Sequence, residues 1–219
     1  MDEKLSWPKK GDHPFPKEDV NHSSPTWASL SCLSSINFDD SYLATAFKKS
    51  ADMVIENFYL GNHHEHPDIF FLPITYLYRH SFELKIKHII NLGIDLQLIE
   101  NCKKLEGIIK AHSLHPLWNY AKRVIQSYWP DGNKEELDAA ERIIQEFHKI
   151  DQSGQKLRYT KDLKGKSTML DFPDSVELNH LQNIADALFN FFEGCEAGLE
   201  AAMDYRDDEI GSYMDDMYR

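Results

Sequence analysis

The chain has 219 residues, of which 42% are hydrophobic and 12% aromatic, so it is long enough to form one globular core. Its 36 Asp and Glu outnumber its 24 Lys and Arg, and the net charge of −12 disfavours non-specific binding to nucleic acid or anionic membranes. The 3 cysteines are far apart, the N-terminal segment lacks an apolar signal core, and no apolar run is long enough to cross a bilayer; these features favour a cytoplasmic protein without disulfides or a membrane span.

Residues 1–38 are rich in Pro, Ser, Asp and His and precede the first helical pattern. Because prolines lack a backbone donor and the segment has neither a helical nor a strand period, we predict an extended arm. Trp7, Phe15 and Trp27 would pin this arm onto the body or onto a second copy of the chain. Without such contacts it would be a tail without fixed structure.

Segments with apolar residues at helical spacing follow, and none alternates with the period of two that is typical of a strand. We therefore predict an all-α helical bundle of about five or six helices over residues 39–203, with one basic loop insertion. Residues 204–219 form an acidic tail, which is either a docking face or a solvated, frayed end. The predicted helices cover residues 39–61, 68–91, 94–110, 114–128, 133–151 and 175 to at least 204.

A loop with three histidines separates the first two predicted helices. His63, His64 and His66 surround Glu65, and these residue types can ligate a metal. A short loop bounded by Gly and Pro does not place them on one face, as a helix would, so we predict a polar loop. We accordingly assign no metal and no cofactor to the chain.

The longest strongly apolar stretch, residues 70–93, overlaps most of the second predicted helix, which Gly93 is expected to end. Arg79, Glu83 and Lys87 recur at four-residue intervals, so their side chains share one helix face and can form ion pairs. At about 100° per residue, Arg79 falls inside the apolar arc of this helix and Glu83 on its border. A guanidinium directed at a core requires a fixed anionic partner or a functional reason.

The longest irregular stretch outside the arm, residues 151–169, is basic although the chain as a whole is acidic. It joins the fifth predicted helix to the last one, and it is the predicted loop insertion. Its cations are Lys156, Arg158, Lys161, Lys164 and Lys166.

Three sequence patterns occur in a fixed order: YRHSFELKIKHII at residues 78–90, HSLHPLW at 112–118 and DQSGQKLRYTKDLKG at 151–165. Over residues 40–200 this order resembles the HEPN-like helical superfamily, particularly its uncharacterised bacterial and defence-associated members. There an RH-x-x-E-L-x-L-K helix, an H-x-L-x-x-L helix start and an F-R-Y-P-x-D-x-x-G loop recur. The resemblance implies a helical bundle, often a homodimer; many members are metal-independent ribonucleases of toxin–antitoxin or phage-defence systems, and others are non-catalytic partners or binding modules.

The nuclease members carry an Arg followed, four to six residues later, by a His, and the match in this chain is Arg142 with His148. The resemblance makes these two residues catalytic candidates, because His can move a proton on a ribose 2′-hydroxyl and Arg can hold the phosphate. On a straight helix the two side chains are separated by a rotation of about 240°, or about 120° the shorter way round, so they would converge only at a helix end, a kink or a dimer interface. The alternative is a surface arginine and a histidine favoured by the helix dipole.

The polar residues of the three patterns could converge in one cluster. One interpretation is a buried salt-bridge network in which Arg158 anchors its loop to Glu83. The other is an anion pocket for a nucleotide or an RNA phosphate, with residues 156–166 as its lid. The cluster residues are Arg79, Glu83, His112, Asp151, Arg158 and Tyr159.

Three functions fit these patterns. The acidic charge and the imperfect Arg–His motif favour a non-catalytic or weakly catalytic HEPN-like component of a bacterial defence or toxin–antitoxin assembly. It would act through protein–protein contacts, as a homodimer or with a protein partner, and through RNA contacts. The alternatives are a metal-independent endoribonuclease that uses Arg142 and His148, and a nucleotide-binding sensor that uses Arg79 and Arg158.

Overall fold

The computed structural model describes residues 39–61, 66–159, 161, 165, 167, 172 and 174–217, and at 213–217 it describes the backbone alone. The predicted arm at residues 1–38 lies outside the described residues. So do His63 and His64 of the histidine loop, and Lys164 and Lys166 of the basic loop.

The described residues form an all-α bundle, as predicted. Outside the helices, Lys161 and Ser167 pair in an isolated antiparallel β-bridge. In the described ranges, no helix combines the length and the apolar character that crossing a bilayer requires. Six helices are described: α1 (Asp40–Tyr59), α2 (Asp68–Asp95), α3 (Lys103–Lys110), α4 (Leu114–Tyr128), α5 (Lys134–Ile150) and α6 (Leu178–Met217).

Local signals place most helix ends where the sequence predicts them. Asp39 caps α1, because its carboxylate accepts a hydrogen bond of 2.7 Å from the backbone N–H of Tyr42. Gly61, with φ of 70°, follows the end of the same helix. Asn133 caps α5 by accepting from the N–H of Glu135.

The end of α2 differs from the prediction, and so does the start of α3. Helix α2 continues through Gly93 to Asp95, and Gln97, with φ of 59°, is the residue in the left-handed conformation after it. A Cβ atom at Gly93 would overlap the side chain of Val124 in α4. This glycine therefore permits close packing of two helices and does not act as a helix stop, and α3 begins only at Lys103.

Helix α2 is the central helix of the bundle, because α1, α4 and α6 all pack against it. The sequence predicts one apolar arc, but residues 81–86 are buried on every face of the helix. Consequently Arg79, Glu83 and Lys85 are all at most 2% exposed. Each of these charges then requires a partner inside the protein.

Helix α6 runs along the body and then beyond it. Leu188, Phe192 and Leu199 are buried in the core, whereas residues 207–212 are all exposed. We call residues 207–217 the acidic extension of α6, since they include Asp and Glu but no Lys or Arg.

Candidate functional site

Arg79 is the centre of a buried polar network. Its Nη1 donates to a carboxylate oxygen of Glu83 (3.0 Å), one turn further along α2. Its Nε donates to the backbone carbonyl of Asp151 (3.2 Å), and its Nη2 donates to that of His112 (2.6 Å). One guanidinium thus joins α2 to the segment before α4 and to the end of α5, and it is 1% exposed.

Glu83 is ionised inside the protein because positively charged groups surround it. One of its oxygens accepts from Lys87 Nζ (2.8 Å) and from His112 Nδ1 (2.6 Å), while the other accepts from Arg79. Burial alone would raise the pKa of Glu83, but the hydrogen bonds from Lys87 and His112 and the charges of Lys87 and Arg79 together lower it to about 2.

His112 is the exposed end of this network. Its backbone has φ of 57°, and its side chain is 57% exposed. Because Glu83 accepts from Nδ1, the carboxylate favours the tautomer in which Nε2 is free to accept a proton. A histidine held by a buried carboxylate and open to solvent on its other side can act as a general acid or base.

Asp151 fixes the start of the basic loop. Its Oδ1 accepts from the backbone N–H groups of Gln155 (3.0 Å) and Lys156 (3.1 Å). Its Oδ2 lies 3.6 Å from Arg79 Nε and has no hydrogen-bond partner in the described part of the chain. A Cβ at Gly154, where φ is 74°, would lie 3.2 Å from Arg79 Nη1, so the loop backbone approaches the network closely.

Arg158 and Tyr159 lie on the exposed side of the cluster. Arg158 Nε donates to the carbonyl of Gly154 (3.0 Å), and its guanidinium is 5.6 Å from the ring centres of both Tyr76 and Tyr159. The ion pair with Glu83 is made by Arg79 and not by Arg158. The network therefore holds the loop through Asp151 and Gly154, and Arg158 remains at the surface.

The second candidate pair, Arg142 and His148, is not joined in the described structure. Arg142 is exposed on α5 and makes no described contact with His148. The His148 ring lies 5.6 Å from that of His115 in α4, and its Nδ1 is buried without a described hydrogen-bond partner. Burial and the charges of His115 and Arg79 lower the pKa of His148, although the charge of Asp151 opposes them.

A second buried ion pair was missed by the sequence analysis. Lys85 Nζ pairs with Glu196 of α6 and also donates to Ser41 Oγ (2.9 Å) in α1. Beside it, His88 Nε2 lies close to carboxylates of Glu196 and Glu200. His88, Glu196 and Glu200 are of residue types that ligate metal ions. The partners in α6 are more than 100 residues away in the sequence, so no local spacing could have paired them.

Cavities also lie elsewhere in the described structure. One of about 450 Å³ is bounded by the end of α4, the start of α5 and the middle of α6, and its lining includes Trp129, Phe191 and Cys195. Burial raises the pKa of the Cys195 thiol to about 11, so it is protonated at neutral pH and is a poor nucleophile.

The chain matches no protein-family model, and comparisons with curated proteins and with solved structures found no match. The resemblance to the HEPN-like superfamily therefore depends on the three sequence patterns alone.

Proposed function

We propose that this chain is a HEPN-like component of a bacterial defence or toxin–antitoxin assembly, and that it contacts RNA at the exposed end of the Arg79 network. The observation that carries the proposal is the position of His112, which is held by a buried carboxylate and open to solvent. Assignment to this kind of assembly follows from the resemblance alone.

The surroundings of His112 suit a phosphodiester. Arg158 is exposed and can bind a phosphate, and the exposed ring of Tyr159, 5.6 Å from its guanidinium, is a surface on which a base can stack. The half-buried Tyr76 ring already stacks on His80. Arg79 is a positioning residue, since its three nitrogens already donate to protein oxygens.

Weak or absent catalysis is the expected consequence of this arrangement. Oxyanion stabilisation is strongest where water is excluded, and His112 is largely exposed. The net charge of −12 also opposes the approach of RNA outside a local contact. The Arg142 and His148 pair remains a separate prediction for a nuclease site, which a dimer interface would have to complete.

The test is RNA binding by fluorescence anisotropy, and cleavage of the same single-stranded RNA, both without divalent metal. Arg158→Ala should weaken binding about tenfold, in line with the loss of one stacking and phosphate contact. Arg123→Ala is the matched control, because Arg123 is also exposed and lies 5.4 Å from a tyrosine ring, that of Tyr120 on α4. Equal effects of the two substitutions, or no binding by the wild type, would contradict the proposed site.

Cleavage by the same variants separates the two catalytic candidates. Any cleavage that His112→Ala abolishes and His148→Ala preserves belongs to the His112–Glu83 pair. The opposite result would assign it to Arg142 and His148. Absence of RNA binding together with a melting shift on adding a nucleotide would instead favour the sensor alternative.

A second candidate function is protein docking through the acidic extension of α6. Residues 207–212 continue the helix but are all exposed, which is typical of a segment that binds elsewhere. Its charge favours a basic protein partner over a second copy of this chain. A partner retained by the full chain should be lost both on truncation after Arg206 and on replacing the Asp and Glu of the extension by Asn and Gln; retention by either variant would contradict this function.

A further inference from the structure

We propose that His88, Glu196 and Glu200 form a binding site for a divalent first-row metal ion, with Zn²⁺ as the best fit. The site lies where α2 packs against α6, and it is separate from the polar cluster and from the RNA contact proposed above. Glu196 and Glu200 are four residues apart on α6 and so project from one helix face toward His88 of α2.

Two of the three distances between donor atoms match the spacing of a tetrahedral site. His88 Nε2 lies 3.3 Å from Glu196 Oε1 and 3.4 Å from Glu200 Oε1, and one donor atom from each of the three side chains lies within 4.8 Å of the others. Two ligands that are each about 2.0–2.1 Å from a tetrahedral Zn²⁺ are about 3.3–3.4 Å apart. An ion can therefore bind between these atoms with little movement of either helix.

The site is anchored on one side and open on the other. The side chains of His88 and Glu196 are 16% and 9% exposed, whereas that of Glu200 is 52% exposed. Three protein ligands with solvent access on the side of Glu200 leave a fourth position for water, and they provide a path by which the ion enters.

Lys85 and Ser41 support this geometry from behind. Lys85 pairs with Oε2 of Glu196 and also donates to Ser41 Oγ, which leaves Oε1 of Glu196 directed at His88. Such outer contacts orient a metal ligand. Lys85 offsets the charge of Glu196, and the carboxylate of Glu200 supplies a further negative charge that attracts a cation.

The donor types indicate the class of ion. One imidazole nitrogen with two carboxylate oxygens suits Zn²⁺, Fe²⁺ or Mn²⁺, whereas Ca²⁺ and Mg²⁺ prefer oxygen ligands alone. Among the first three, Zn²⁺ binds most tightly to a given set of nitrogen and oxygen ligands and accepts four-coordination readily.

The experiment is calorimetric titration of the chelator-treated full chain with Zn²⁺, followed by Co²⁺ absorption spectra. We expect one ion per chain, with a Kd that rises at least about tenfold in His88→Gln and in Glu200→Gln. Matched controls are His180→Gln on α6 and Glu146→Gln on α5, which replace two exposed residues outside the site. A further control replaces His63, His64 and His66 together by Gln, because a histidine loop can also bind Zn²⁺.

Absence of stoichiometric binding would overturn the proposal, as would binding that survives both ligand substitutions or that is lost only with the histidine loop. Loss of Zn²⁺ binding in His88→Gln but not in Glu200→Gln would contradict a three-ligand site. Glu200 is half exposed, so Glu200→Gln leaves the fold intact and keeps the test decisive even where His88→Gln perturbs packing. A visible Co²⁺ band of four-coordinate intensity should disappear together with the high-affinity Zn²⁺ site.

Discussion

Glu83 is the residue through which the polar network becomes sensitive to pH. At neutral pH its carboxylate pairs with Arg79, Lys87 and His112, and Glu83→Gln would leave the buried guanidinium only the longer contact of 3.6 Å with the Asp151 carboxylate. Breaking a buried pair in this way is expected to lower the free energy of unfolding by about 3–5 kcal/mol. Glu193→Gln, at an exposed carboxyl of α6, should change it by less than about 0.5 kcal/mol.

The pH dependence of that difference follows from the lowered pKa of Glu83. A carboxyl whose folded pKa is about 2, against 4.5 for the free group, contributes stability above pH 4.5 and loses it as the pH falls through about 2. The difference in free energy of unfolding between wild type and Glu83→Gln should therefore shrink as the pH falls from 4.5 to about 2. Urea unfolding at a series of pH values measures this difference. Parallel curves for the two proteins would contradict a network built on the ionised Glu83.

Residues of this network could be predicted from sequence to the extent that they obey local rules. Arg79 and Glu83 share a helix face four residues apart, and His112 and Asp151 came from patterns whose order resembles a known superfamily. Lys85 obeys no such rule, because its partner Glu196 is 111 residues away and is positioned only by the packing of α6 on α2. The buried location of Lys85 follows from α2 being central, which a single apolar arc does not predict.

At the scale of the helices, glycines mark where two elements approach each other. Gly198 of α6 faces Trp129 at the end of α4, and a Cβ there would lie 2.5 Å from the indole Cζ2. The indole is also held from another side by Tyr128, with ring centres 4.4 Å apart, so it has little room to move. A Cβ atom built on Gly194, one turn earlier in α6, would meet no neighbouring atom within 4 Å.

Substitution by alanine should therefore change the free energy of unfolding in opposite directions at Gly194 and Gly198. Gly194→Ala is expected to raise the free energy of unfolding by about 0.5–1 kcal/mol, because alanine loses less backbone entropy in a helix. Gly198→Ala gains the same helix propensity but must displace Trp129, and overpacking of this kind costs about 1–3 kcal/mol. Urea unfolding of the two variants side by side is the measurement. Stabilisation by both would mean that α4 and α6 are not in close contact at Trp129.

Glycine also explains why helix ends are harder to predict than helices. Gly61 and Gly93 both follow long apolar patterns and both predict a helix end. Gly61 fulfils that role, whereas Gly93 lies inside α2 where Val124 leaves no space for a side chain. A sequence alone does not distinguish a glycine required by backbone conformation from one required by a neighbouring helix.

For the whole molecule, the main question is where the folded body ends along α6. The sequence predicts the boundary at residue 203, after which acidic residues become frequent. The described contacts continue slightly further, since Arg206 Nη1 donates to the carbonyl of Asp95 at 2.5 Å. Beyond it, residues 207–212 are exposed, and hydrogen bonds such as that from Ser212 Oγ to the carbonyl of Glu209 remain within the helix.

A pair of truncations tests this boundary. Removal of the chain after Arg206 should change the free energy of unfolding by about 0.5 kcal/mol or less, because the side chains described in the lost segment, those of residues 207–212, are all exposed. It should reduce the helical circular dichroism signal, since the lost segment is helical. Truncation after Cys195 also removes Leu199 and Glu196, which are 0% and 7% exposed, and should cost at least about 3 kcal/mol. If the shorter truncation alone destabilises the protein by more than about 2 kcal/mol, the acidic extension packs on the body and is not free to bind a partner.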